Sequence, residues 1–207
     1  RLIPSLLIVV TFSLVISNFY LDFQSRMNLV DTVYASISFT SNIYFYLENS
    51  YWAIDSQLRP LLHTWSLSVE EQFYFLFPLI SFVAYRILGK PGLWAVVLFL
   101  LAISFLISEW GWRNEPRGNY FFSLSRFWEI LIGAIAALWC SFRDTKGSDP
   151  LAALGLVALF LTFFLYDDSI LFPSYYALLP TIGTVLVLIF ARASTTTANL
   201  LQFGPLR

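Results

Sequence analysis

Apolar runs about as long as a bilayer is thick constrain this chain more than any motif in it. Residues 2–20, LIPSLLIVVTFSLVISNFY, hold no charged side chain. A helix of that length rises about 28 Å, close to the thickness of the hydrocarbon layer. Further apolar runs cover residues 63–88, 93–107, 120–142, 151–166 and 175–191. Over 207 residues, 58% are hydrophobic and 12% charged, with a mean hydropathy of +0.71. Soluble domains carry about 25% charged residues, so this chain is built for lipid. The expected fold is all-α: a polytopic transmembrane helical bundle of about six to seven spans, because backbone polar groups in hydrocarbon must be satisfied within the spanning segment. A net charge of −1 gives no support for a nucleic-acid partner. The single cysteine, Cys140, excludes an internal disulfide and a thiolate metal cluster, and no metal site is expected.

Residues 29–47, LVDTVYASISFTSNIYFYL, fit the pattern least, since Asp31, Asn42 and several hydroxyls interrupt them. Either this segment spans with its small polar face against neighbours, or it is re-entrant or interfacial. A polar, aromatic loop follows at 48–62, with Tyr51, Trp52, Asp55 and Arg59. Gly89-Lys90-Pro91-Gly92 reads as a stop, and 109–118 as a charged, Trp-rich interfacial loop. Residues 141–150 read as a short charged loop, Asp167 and Asp168 as a solvated one, and 192–207 as a polar tail. The basic residues Arg86, Lys90, Arg143, Lys146, Arg192 and Arg207 fall on one side under strict alternation, which puts the Gly89 turn in the cytoplasm and His63 near the outer face.

Within this apolar chain, residues 60–78, PLLHTWSLSVEEQFYFLFP, carry the only histidine together with Glu70, Glu71 and Gln72. Ionisable groups at membrane depth cost roughly 2.5–3.5 kcal/mol on insertion scales and mark functional candidates. At about 100° per residue, His63, Ser66, Glu70 and Tyr74 fall on one helical stripe. Glu71 lies about a quarter turn away and Gln72 on the opposite side. A polar stripe of this kind is expected to face a cavity or partner helix. Imidazole and carboxylate on one face are the groups needed to move a proton from a hydroxyl. They equally suit a capping histidine and a carboxylate paired to a basic side chain elsewhere in the bundle. Arg126 and Glu129, at i and i+3 inside a span, form a second constellation: an intrahelical ion pair that either supports a polar cavity or fixes packing. Gly133 and Ala137 make a small-xxx-small step suited to close helix approach.

The 60–78 stretch resembles the signature of the membrane acyltransferase 3 family, bacterial O-acyltransferases of cell-surface polysaccharide and peptidoglycan. RLIP at 1–4, SNIYFYL at 41–47 and YFFSLSRFWEILIGAIAAL at 120–138 resemble further family segments in the same order. The resemblance implies that residues 1–207 are part of one transmembrane acyltransferase domain that lacks the family's first helices and its C-terminal helices. It implies acetyl-CoA as the usual donor, reached from the cytoplasmic side with Arg1 in the donor-binding motif. The acceptor would be a hydroxyl of an extracytoplasmic glycan such as lipopolysaccharide O-antigen or peptidoglycan, at a bacterial inner (plasma) membrane. His63 and Glu70 become the catalytic candidates, and Ser66, Tyr74, Arg126 and Glu129 the supporting cavity. Placing Arg1 inside would make 29–47 non-spanning. The family also has a histidine essential for transfer, with an arginine ahead of it, in a helix that would precede Arg1, so the fragment alone is expected to be inactive. The alternative is a transporter or flippase with His63, Glu70 and Arg126 along a proton or anion path. Neither an inverted repeat nor paired Gly/Pro-broken spans support that alternative.

Overall fold

The uncharged N-terminal run winds into α1 (Leu2–Tyr20), and its hydroxyls do not oppose the helix. Thr11 donates to the Leu7 carbonyl at 2.7 Å and Ser17 to the Leu14 carbonyl at 2.7 Å, so each is satisfied one turn back without water. The computed structural model describes residues 2–48, 60–143, 145–167, 172–192 and 195–201. Their regular structure is helix alone, with no strand among the described residues. Among the described residues, three helices are long and apolar enough to cross a membrane: Ile3–Tyr20, Thr64–Asn114 and Ser123–Phe142. Ile8 and Phe12 on α1, and Phe163 and Phe164 further on, point outward, a surface suited to lipid rather than water.

Asp22 caps α2 (Phe23–Ile37) by accepting from the Gln24 amide at 3.1 Å. α2 stops at Ser38, and Phe39 takes a φ of 54° before α3 (Ser41–Leu47) begins. The ambiguous 29–47 segment is thus two helices, of 15 and 7 residues. The longer rises about 22 Å, short of the roughly 30 Å hydrocarbon layer.

α4 (Thr64–Asn114) is two arms, 64–88 and 90–114, divided at Gly89, whose φ of 68° only glycine adopts without strain. The stop at 89–92 is therefore a single-residue break, with Lys90 and Pro91 already in the first turn of the second arm. The expected loop at 109–118 is mostly helical as well, completing α4 and opening α5 (Pro116–Phe121). Glu109 explains the extension: it pairs with Arg113 one turn on at 2.9 Å and accepts from the Trp112 indole at 3.1 Å. α6 (Ser123–Phe142), α7 (Asp149–Leu165), a 3-10 turn (Tyr175–Ala177), α8 (Leu178–Phe190) and α9 (Thr196–Leu201) follow.

The described residues fall into two compact units, Arg1–Ile80 with Phe121–Ser123, and Ser81–Tyr120 with Leu124–Arg207. In the first, Leu6 and Val10 of α1, Leu29 and Val33 of α2, and Leu61 form one buried cluster. In the second, Trp128 is fully buried edge-on to Phe105, with ring centroids 5.2 Å apart.

In the second unit α7 and α8 approach each other backbone to backbone. A Cβ on Gly155 would lie 2.6 Å from the Gly183 carbonyl oxygen, and one on Gly183 would lie 2.9 Å from that of Gly155. At Gly133, where the sequence suggested close approach, a Cβ would meet nothing within 4 Å. Among the described residues, no helix approaches the small-xxx-small step of α6 at Gly133.

Asp149 opens α7 and reaches across to α9, where its Oδ1 accepts from Thr197 N at 3.0 Å, Thr197 Oγ1 at 2.8 Å and Thr196 Oγ1 at 2.8 Å. These bonds, the Thr197 amide first, hold its carboxyl down at about 2 against an ordinary 3.8. A group whose pKa is depressed on folding stabilises above its unfolded pKa and loses that contribution as pH falls through the folded value. Protection of the Thr197 amide from hydrogen exchange should therefore be constant above about pH 4 and fall only as pH approaches about 2. Asp149→Ala should remove the protection at neutral pH.

Candidate functional site

Leu61, fully buried, anchors the turn that presents His63. The Thr64 amide and hydroxyl both donate to the Leu61 carbonyl, at 3.0 and 2.7 Å, and Ser66 Oγ donates to the His63 carbonyl at 3.0 Å. Trp65 is set edge-on to Phe121, with centroids 5.6 Å apart. The helix starts from a fixed turn, so the stripe it carries has a defined direction.

Ser66, Glu70 and Tyr74 lie on that stripe of α4 and His63 in the turn just before it, and all four are exposed. The expected cavity wall or partner helix does not cover them among the described residues. Pro78 adds a further acceptor, because it has no N–H to donate to the Tyr74 carbonyl. Seven residues of helix place Glu70 about 10 Å along the axis from His63. The two therefore do not bond to each other and would touch different parts of anything bound along the stripe.

What fixes the stripe is the opposite face, which sequence reasoning passed over. Thr64, Ser68 and Gln72 stand one turn apart and meet α2 and α3. Thr64 Oγ1 is 2.8 Å from Ser36 Oγ and 3.2 Å from Ser41 Oγ, and Ser68 Oγ is 2.7 Å from Ser41 Oγ. Gln72 Nε2 donates to the Phe39 carbonyl at 2.8 Å and to Asn42 Oδ1 at 3.0 Å, and its Oε1 accepts from Ser123. Asn42 Nδ2 in turn donates to the Phe121 carbonyl and to Ser123 Oγ, both at 3.1 Å. The i, i+4, i+8 spacing was the available signal. Removing Gln72 leaves a carbonyl, an amide oxygen and a hydroxyl short of partners in a half-buried place. Gln72→Leu should cost about 1–3 kcal/mol, read as a lower melting temperature, whereas Glu71→Gln should leave it nearly unchanged.

Arg126 and Glu129 lie in the second unit. Arg126 Nη1 stands 3.9 Å from Glu129 Oε2, at the outer limit of an ion pair, with the side chains 16% and 28% exposed. The firmer partner of Arg126 is Tyr120: Nε donates to its carbonyl at 2.8 Å, and the guanidinium lies 4.9 Å from its ring centroid. The expected i, i+3 pair is present, and its arginine is oriented by an aromatic residue six positions earlier. Arg1 lies outside the described residues, as do Asp55, Arg59 and Asp168. No group of three metal-ligating side chains occurs among the described residues.

Residues 1–203 match the family described as the acyltransferase domain. An uncharacterized protein of Haemophilus influenzae is 29% identical over 200 residues, covering 91% of this chain and 82% of that protein. The O-acetyltransferase OatA of Staphylococcus aureus is 30% identical over 186 residues, 82% of this chain but only 30% of OatA. No solved structure matches.

Proposed function

The chain belongs to the acyltransferase 3 family, and from that premise we propose that it moves an acyl group, acetyl first among candidates, from acyl-CoA to a hydroxyl of an extracytoplasmic glycan such as lipopolysaccharide O-antigen or peptidoglycan. The observation that carries this reading is the open stripe of His63, Ser66, Glu70 and Tyr74, held in place by a satisfied polar network on the reverse face. The membrane would be the bacterial inner membrane, with donor on the cytoplasmic side and acceptor at the outer face.

In the reaction, a base takes the acceptor proton, the hydroxyl oxygen attacks the thioester carbonyl, the C–S bond breaks, and the departing CoA thiolate takes up a proton. Glu70 is the residue we assign to the acceptor proton. His63, about two turns away, orients the acceptor or donates to it, while Ser66 and Tyr74 supply hydroxyls between and beyond them. Arg126 and Glu129 are assigned to cavity support, and Arg1 to the donor phosphates by family resemblance.

The test is transfer of label from acetyl-labelled acetyl-CoA to cell-envelope glycan in membranes holding the full-length protein that contains these residues. Label in the glycan is the expected outcome. Proton-coupled uptake into vesicles without acyl-CoA, and no label in glycan, would replace acyl transfer with transport.

A further inference from the structure

The cations of the second unit are treated differently at the two ends of the 90–114 arm. At the Asn114 end, Arg113 is matched by Glu109 at 2.9 Å. At the Lys90 end, Arg86, Lys90, Arg143, Lys146 and Arg192 are exposed, and none is ion-paired with a carboxylate among the described residues. Three of them are held by rings and neutral polar groups instead. Lys90 Nζ lies 4.9 Å from the Phe142 ring centroid, and Phe142 packs beside Trp94 with centroids 6.4 Å apart. The Arg143 guanidinium lies 4.4 Å from the Trp139 centroid. Arg192 donates to Thr145 Oγ1 at 2.8 Å and to the Ile189 carbonyl at 3.1 Å. Apart from the Ile189 carbonyl, the groups that hold these three cations are Trp139, Phe142 and Thr145. Asp149 is occupied by Thr196 and Thr197, and Asp144 lies outside the described residues. The sequence thus sets five cations against two carboxylates here.

Cations held on aromatic faces keep their remaining N–H groups available, and guanidinium suits phosphate oxygens. A requirement for positive charge on one side of a membrane depends on how many cations there are, not on fixing them against rings. We propose that Lys90, Arg143 and Arg192 form a phosphate-recognition site, and that its ligand is the phosphate-rich end of the acyl donor, which rests on the acyl transfer proposed above. An anionic lipid headgroup offers the same chemistry from a second source.

The test uses the full-length protein in nanodiscs of neutral phosphatidylcholine, with CoA binding measured by calorimetry. Arg143→Gln/Arg192→Gln should weaken CoA binding at least tenfold with an unchanged melting temperature. On the wild type, removing the 3′-phosphate by using dephospho-CoA should weaken binding in the same direction, a readout that needs no variant to fold. In parallel, retention of phosphatidylglycerol is measured in mixed nanodiscs without CoA. If only lipid retention falls in the variant, the site stands with a headgroup as its ligand. Neither ligand responding to the substitutions, or the wild type holding neither, overturns it. Glycan labelling with CoA affinity unaltered in the variant removes the donor assignment alone. CoA binding through these cations without glycan labelling removes acyl transfer and leaves the site.

Discussion

In the full-length protein, replacing Glu70 with glutamine should lower acyl transfer to glycan at least about a hundredfold, the usual size of a lost general base, while leaving the protein in the membrane with an unchanged melting temperature. The separation of those two readouts follows from the geometry. Glu70 is exposed, and Gln72, two positions on, carries the bonds that hold the helix. Glutamine keeps the shape and removes only the ability to take a proton. His63→Gln should also reduce transfer. If both residues act on one bound acceptor, the double variant should fall well short of the product of the two single losses. Gln72→Leu should show the opposite pattern, with stability lost first and transfer falling only as folded protein is lost. Undiminished transfer in Glu70→Gln would remove the stripe as the catalytic face and turn attention to Arg126 and Glu129.

Much of the helical framework was legible because hydrophobic length alone dictates it: the run at 2–20 and α1 coincide, and α7 and α8 lie within two or three residues of expectation. The break at Gly89 was legible as punctuation but not in size, since Pro91 at a helix start reads like Pro in a loop. The 109–118 stretch was misread because charge in an apolar chain looks like a loop. The Glu109–Arg113 pair and the Trp112 indole make the same residues a helix end. Phe39 left no trace, as a positive φ at a non-glycine residue depends on tertiary surroundings. At the site, charge drew attention to His63 and Glu70, while Thr64, Ser68 and Gln72 looked unremarkable although their four-residue spacing was in view. Small residues told least: a glycine in one helix says nothing of which glycine in another will face it, so Gly133 drew notice and Gly155 did not.

Gly155→Leu should abolish the α7–α8 contact and with it monodisperse, folded protein. A Cβ at Gly155 would stand 2.6 Å from the Gly183 carbonyl oxygen, 2.9 Å from Leu186 Cβ and 3.0 Å from Val187 Cγ2. The first of these is backbone and cannot rotate away, so the helices must separate. Overpacking of this kind costs about 1–3 kcal/mol for a single added methyl group, and leucine adds three more carbons to the same gap. Gly155→Ala should accordingly lower the melting temperature, and Gly155→Leu should eliminate a cooperative transition. Gly183→Ala should resemble Gly155→Ala, because its Cβ would meet the Gly155 carbonyl at 2.9 Å. The two alanine changes together should cost less than their sum, since helices already forced apart by one methyl leave room for the other. Gly133→Ala supplies the contrast: with nothing within 4 Å, it should be neutral or stabilising by up to about 1 kcal/mol through helix propensity. If Gly155→Leu melted like the wild type, the backbone approach of α7 and α8 would not be what holds the second unit together.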